Sequence, residues 1–358
     1  MFNTSTMAPP TITIEQAQAV VDKHLSSESD TPATIVNFIK VSHGFSYNPL
    51  LTTYLLDLAI STNAEPTHST FLVVSNADED QASEVYKPNS LALFPQIISV
   101  IRQNTTIPIP EPKFSDPDDI LPYMYLTTPI YPLVSSRLIS LADARAGRAL
   151  NAKQQAYIDL QLGKYLGELH NGAMNDFFGL PSATPPSNPS YEWQETFTSL
   201  LESLLDASAA SIEEPVLAQL RTALARAISA FLFADVEVPS LIWFTGSADD
   251  VFLAFAASGE LNAFAILPSV AHALWGDPLL ETFFLDASDT FWEAYRATRG
   301  ADGNLIVFPR QRTKRVWYDV FLALVVLREH RDSDGEKNVW ARERLKQSAA
   351  KLVDAPCY

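Results

Sequence analysis

The sequence predicts an α+β protein of two lobes, a small N-terminal lobe built on an antiparallel sheet and a larger, mainly helical C-terminal lobe. Two textures and one interruption carry the prediction. Up to about residue 130 the apolar residues come in short β-branched runs broken by polar turns, and beyond about residue 140 they recur at helical spacing. A brief β-rich stretch, 241–267, interrupts the helical half. With 358 residues, 47% of them hydrophobic, the chain can bury a core in each lobe.

Residues 1–11 are polar, contain Pro9 and Pro10, and read as a mobile lead-in. The N-terminal lobe is expected over 12–130. It opens with a helix near Thr13, where Thr13 and Gln16 have capping-box spacing. Segments 35–41 and 50–58 predict a hairpin whose turn, 42–49, contains Gly44. A third strand over 70–75, a helix over 90–103, the rigid Ile107-Pro108-Ile109-Pro110 and a strand over 121–130 complete it. The C-terminal lobe, 131–358, is expected to contain helices over 152–170, 191–205 and 215–233, the first with Tyr157, Leu160, Leu166 and Leu169 on its apolar face. A β pair over 241–244 and 251–255, continued by 263–267, forms the inserted hairpin. A final helix over 317–331 follows, and the charged residues beyond Arg328 read as a solvated helix face.

Composition narrows the function. Asp and Glu number 42 against 25 Lys and Arg, a formal net charge of -17 that opposes binding to nucleic acid or anionic lipid. The first 22 residues carry no Lys or Arg and no sustained apolar run, so neither a secretory signal nor a transit peptide is expected, and the apolar run 320–327 is too short to cross a bilayer. The expectation is a cytoplasmic protein with no membrane partner. Cys357 is the sole cysteine, which leaves no intramolecular disulfide; it is expected to be a solvated tail thiol. The histidines at 24, 43, 68, 170, 272 and 330 show no ligand-like spacing, so no zinc site is expected. Hydrolase-elbow, Walker and dinucleotide fingerprints find no match in the chain.

Four segments, in order, carry a resemblance. Gly44-Phe45-Ser46-Tyr47-Asn48 resembles a glycine-containing nucleotide loop, and Thr105-Thr106-Ile107-Pro108-Ile109-Pro110 a Thr-x-Ile-Pro-Val-Pro stretch that closes an N-lobe helix. Leu162-Gly163-Lys164-Tyr165-Leu166-Gly167-Glu168-Leu169-His170 is similar to a leucine-rich helix ending in Leu-His, and Ala273-Leu274-Trp275-Gly276-Asp277-Pro278-Leu279 to a Gly-Asp-Pro-Leu element that follows a metal-binding strand. Together they are similar to the aminoglycoside-phosphotransferase and fungal choline-kinase-like family, which implies a two-lobed protein-kinase-like fold and a degenerate, fungal-type member of it.

The resemblance also implies where chemistry should sit. Phosphoryl transfer in this fold needs a phosphate-holding Lys, its Glu partner, a catalytic Asp and oxygen ligands for magnesium. The family's catalytic loop, His-Gly-Asp-x-x-x-x-Asn, falls on Trp243-Phe244-Thr245-Gly246-Ser247-Ala248-Asp249-Asp250, which puts Thr245 at the catalytic aspartate and Asp250 at the magnesium-binding asparagine. Ser269 falls at the metal-binding aspartate, Val74 or Ser75 at the lysine, and Phe94 near its glutamate. No Lys or Arg occurs between Lys40 and Lys87 or between Arg226 and Arg296, and only Lys40 offers a rescue. A serine hydroxyl is a poor ligand for a hard cation, and an acidic cleft repels triphosphate.

The expectation is therefore a pseudokinase that binds a small molecule or a protein partner without ATP or magnesium. The competing readings are a repurposed enzyme using Asp249, Asp250 and His272, and an atypical phosphotransferase using Lys40 with the aspartate pair. Expected ligand-binding residues are Gly44, Phe45, Ser46, Asn48, Trp243, Thr245, Asp250, Ser269, His272 and Trp275, with Asp250 the one metal candidate. Each has a bland counterpart. Asp249 and Asp250 are also ordinary turn residues, while Trp243, His272 and Trp275 form either an aromatic pocket or core packing. The resemblance gives His170 a bracing role under the catalytic loop, where a dipole-favoured helix end serves equally, and Asp277 reads as a structural cap.

Overall fold

The computed structural model describes residues 9–25, 32–41, 44–59, 66–76, 85–129, 131–132, 138–184, 186–256, 258–266, 269–331 and 335–357. The expectations for 1–8, Ser42, His43, Ile130 and Leu267 lie outside those residues.

Helix α1 (Ile14–His24) begins where the capping box places it: Thr13 Oγ1 accepts from Gln16 N–H at 3.3 Å, and the Gln16 side chain accepts from Thr13 N–H at 2.9 Å. Three long strands follow, β1 (Thr34–Lys40), β2 (Leu51–Ala59) and β3 (His68–Ser75). Alternate residues of β3 point to opposite faces. Leu72 and Val74 pack with Ala17, Val20 and Val21 of α1, whereas Val73 packs with Ile97, Ile98 and Ile101 of α2 (Phe94–Asn104). The sheet is thus covered by a helix on each side. Strands β4 (Lys113–Ser115), β5 (Met124–Thr127) and β6 (Tyr131–Pro132) complete it in the order β1-β2-β3-β5-β4, with β6 against β3. The strand expected over 121–130 starts late because Asp118 Oδ1 accepts from the amides of Ile120 and Leu121 and turns the chain there.

The helical part opens with β7 (Ile139–Ser140), α3 (Leu141–Ala146) and α4 (Ala152–Gly172). The inward face of α4 is Ile158, Leu162, Leu166 and Leu169; Tyr157 and Leu160, expected on it, are 52% and 44% exposed. Helices α5 (Trp193–Ser208) and α6 (Glu214–Ser229) lead to β8 (Ser240–Ile242), β9 (Val251–Phe255), β10 (Leu261–Ile266) and β11 (Leu274–Gly276). The expected pair of β8 with β9 does not form. β8 pairs with β11, and β9 lies between β10 and β7. The chain turns sharply after β8, at Phe244 with φ 68°, which sends residues 243–250 out as a loop.

Three helices close the fold: α7 (Asp289–Arg299), α8 (Pro309–Glu329) and α9 (Glu336–Leu352). α7 lies so close to α4 that a Cβ on Gly163 would stand 2.2 Å from the Phe291 carbonyl oxygen. α8 starts well before the expected position 317, on Pro309 in its first turn, and is buried on every side from Trp317 to Leu327. It is not the last helix. In α9 Glu336, Arg342, Glu343, Lys346 and Lys351 face solvent and Lys337 and Arg344 are half-buried, while Ala341, Leu345, Ala349 and Leu352 seal the core formed by α5, α6 and α8. Cys357 belongs to that core and is 6% exposed, so it is a packed thiol and not a solvated one. Among the described residues no helix is long and apolar enough to cross a membrane.

Candidate functional site

The turn Gly44–Ser46, between β1 and β2, and the loop 243–250, after β8, are pressed together across the cleft between sheet and helices. Ser46, buried in the contact, donates from Oγ to the Thr245 carbonyl at 3.0 Å, and the same oxygen stands 3.1 Å from Thr245 Oγ1 and 3.1 Å from Asp250 Oδ2. Ser247 donates its backbone N–H to Asp250 Oδ2 at 2.9 Å. Gly44 has φ 49°, and a Cβ on it would stand 2.2 Å from Asp249 Oδ2. Glycine is required here both by the left-handed backbone and by the approach of Asp249.

Asp250 has no exposed surface, and its Oδ1 has no partner among the described residues. Burial, aided by the neighbouring Asp249 and outweighing the hydrogen bonds from Ser247 and Ser46, pushes its carboxyl up to about 8. It is therefore largely protonated at neutral pH, with Oδ2 still able to accept from Ser247 N–H and Ser46 Oγ. The pair expected as two solvated turn aspartates splits, with Asp249 half-buried and Asp250 sealed.

The other candidates fall into supporting places. Asn48 is buried and its Oδ1 accepts from Leu50 N–H at 2.9 Å, which sets the entry to β2. Phe45 packs on Trp340 of α9 and also walls a small cavity with Ser247 and Ala248 of the 243–250 loop. Trp243 is buried and donates Nε1–H to the Ser269 carbonyl at 2.6 Å, which brings those two positions together through the backbone of Ser269. His272 is buried between the Tyr86 hydroxyl, 2.9 Å from Nδ1, and the Tyr47 carbonyl, 3.3 Å from Nε2; burial pushes its imidazole down to about 4. Trp275 is half-buried in β11 and exchanges backbone hydrogen bonds with Gly179. The hydrogen bonds of Trp243 and His272 brace neighbouring backbone and side-chain groups. Val74 is buried against α1, and Ser75 donates to the Leu50 carbonyl at 3.2 Å. Phe94 is buried in the cluster that holds Val73, on the opposite face of the sheet from Val74. Lys40 is exposed on β1, the edge strand of the sheet. Among the described residues no three His, Cys, Asp or Glu side chains gather to hold a metal ion.

The main residue that sequence reasoning missed is Glu281. It is fully buried, and its Oε1 accepts from Trp243 N–H at 2.7 Å and lies 3.2 Å from His170 Nε2. His170 Nδ1 meets the Tyr295 hydroxyl at 2.8 Å, and burial holds its imidazole below the usual range, so the bracing role holds and a dipole-stabilised charge does not. A carboxylate inside the apolar run 278–285 was the available signal. Asp277 caps the turn that follows it, accepting from Leu279 N–H at 2.9 Å.

A cavity of about 80 Å³ lies beside the contact, walled by Phe45, Arg145, Asp159, Ser247, Phe283 and Asp286. Ligand pockets span roughly 300–1,000 Å³, so this one holds a few waters and not a nucleotide. Replacing Gly44 with alanine is expected to displace Asp249 and to cost about 1–3 kcal/mol in urea-induced unfolding; unchanged stability would show that the turn is not seated on that carboxylate.

This architecture is the kinase-like phosphotransferase fold. It is shared with a protein described as an aminoglycoside phosphotransferase from Ralstonia eutropha, at TM-score 0.58 and 10% identity over 96% of this chain and 98% of that one. A GDP complex of an aminoglycoside 2'-phosphotransferase-IIIa variant gives TM-score 0.57 and 15% identity over 96% and 99%. A protein described as a fructosamine-3-kinase from Haemophilus somnus gives 0.56 and 10% over 92% and 96%. At such identities the likeness is one of fold. No protein-family model and no curated protein sequence matches the chain.

Proposed function

We propose that this chain is a kinase-like protein that does not transfer phosphoryl groups and acts by binding. The observation that carries the reading is the hydrogen bonding of Ser46, in the glycine turn, to Thr245 and Asp250, which brings into direct contact the two loops between which the resemblance would put a nucleotide's phosphates. The segment 227–295 supplies no Lys or Arg to offset triphosphate charge, and Thr245 and Ser269 offer hydroxyls where the resemblance asks for carboxylates. With the cleft closed and the neighbouring cavity small, a protein partner is favoured over a ligand held deep in the cleft. ATP and magnesium have no role in this reading.

One observation favours the repurposed enzyme instead. A buried carboxyl pushed up to about 8 is the kind of group that acid or base catalysis uses. Asp250 faces Ser46 and Ser247 and not the cavity, so the binding reading is preferred; loss of a cellular product on Asp250→Ala, with the fold intact, would reverse that preference.

Thermal unfolding with and without millimolar ATP and magnesium tests the main reading. A nucleotide at ten times its Kd would add about 1.4 kcal/mol to stability, and no such rise is expected. A magnesium-dependent rise, or transfer from ATP to a hydroxylated metabolite, would overturn it.

A further inference from the structure

The glycine turn is held from two sides. Ser46 bonds the 243–250 loop, while the rings of its neighbours Phe45 and Tyr47 contact the C-terminal helices, Phe45 also bordering the small cavity beside Ser247. The Phe45 ring lies 4.8 Å from that of Trp340, and Lys337 Nζ stands 4.5 Å from the centre of the Phe45 ring. Lys337 and Trp340 are three residues apart on α9, so they present one face to Phe45. Tyr47 stacks on His330, the residue that ends α8, at 4.4 Å and 21° between the planes. The adjoining ends of α8 and α9 therefore grip two alternate residues of a turn that lies almost 300 residues earlier in the chain. An aromatic pair and a cation over a ring each add to the apolar contact they make.

We propose that the α8–α9 pair is an intramolecular strap: by seating Phe45 and Tyr47 it holds the glycine turn down on the 243–250 loop, and loosening it is the step that opens the cleft. This rests on the reading above, in which the turn closes the cleft. The strap does not depend on which residues line the cleft. It makes the closed state a property of the C-terminus as well as of Ser46, so a partner that binds α9 near Lys337 and Trp340 would control access to the cleft.

Removing α9 would expose the core beneath Leu345 and Leu352, so point variants of the full chain are the test. Amide hydrogen exchange is measured at 45–48, with β9 and α5 as internal controls. Trp340→Ala is expected to speed exchange at 45–48 by about tenfold, and Lys337→Ala by about two- to fivefold, with both controls unchanged. If Trp340→Ala does not fold, Lys337→Ala decides alone, since its side chain is surface-facing. The strap is overturned if exchange at 45–48 stays at the wild-type rate in a folded variant, or if it rises only in step with α5, which would be general loosening. Adding ATP and magnesium to the opened variant separates the two claims. Faster exchange without nucleotide binding upholds both, and faster exchange with nucleotide binding upholds the strap while overturning the non-phosphorylating reading.

Discussion

Asp250→Asn is expected to make the protein more stable than wild type at pH 8 and nearly equal to it at pH 4. The carboxyl is pushed up to about 8 by burial, with Asp249 adding to the shift, while in the unfolded chain it titrates near the ordinary aspartate value. A raised folded value means that the native state holds a proton that the unfolded state has released. Stability from this group is thus fully present below about pH 4 and is lost as pH rises through 8. Asparagine keeps an oxygen to accept from Ser46 and Ser247 and has no such loss. The advantage of the variant should grow over that window to at most roughly 5 kcal/mol and then level off. Comparing urea unfolding of both proteins at pH 4, 6 and 8.5 checks it, because the buried histidines titrate alike in the two and cancel. A difference that stays flat with pH would mean that Asp250 is ionised in the native protein and that the turn is not sealed.

Lys314→Ala is expected to cost about 3–5 kcal/mol at pH 7, an effect of the size that follows when one partner of a buried ion pair is removed. Lys314 is 4% exposed in its side chain, with Nζ 2.6 Å from Asp277 Oδ2 and 2.7 Å from Asp235 Oδ1. Burial would lower the ammonium and raise the Asp277 carboxyl, but each outweighs that effect on the other: Lys314 is shifted up and Asp277 down. Without the lysine, Asp277 keeps the Tyr318 hydroxyl at 2.7 Å and the Leu279 amide, and its charge loses the buried cation paired with it. A depressed carboxyl contributes stability above its unfolded value that is lost as pH falls. The deficit of the variant should therefore shrink below about pH 4, where Asp277 takes up a proton. A cost under 1 kcal/mol, or one independent of pH, would show that the pair is solvated.

Much of the sheet lobe was legible because its signals are local. Thr13 and Gln16 fix the start of α1, and β-branched runs fix β1, β2 and β3 to within two residues. α9 was legible only as a charged tail because its buried face is half alanine, and its contribution to the core comes from α5, α6 and α8, which no local pattern reports. The pairing of β8 was misjudged because nearness in sequence favours β9, whereas the turn at Phe244 carries the chain away. The lack of cations in segments 41–86 and 227–295 could be read directly, whereas the placing of Arg145 in the cavity wall could not. That Ser46 meets Thr245 across 199 residues could not, since it depends on how the lobes close. Cys357 was misplaced for a similar reason: a position near the chain end says nothing of whether the end is tucked in.

Phe244 stands where the resemblance places a glycine, and its φ of 68° is a glycine's backbone angle kept by a buried phenylalanine. Thr245→Asp alone would not restore a working carboxylate. It would add a third acid beside Asp249 and Asp250 in a dry contact with no lysine or arginine from 227 to 295 to balance it, so the new group would stay protonated or force the turn away. On the binding reading proposed above, a carboxylate at 245 would gain the water and the counter-charge that let it ionise only after Ser46 and the proposed C-terminal grip had yielded.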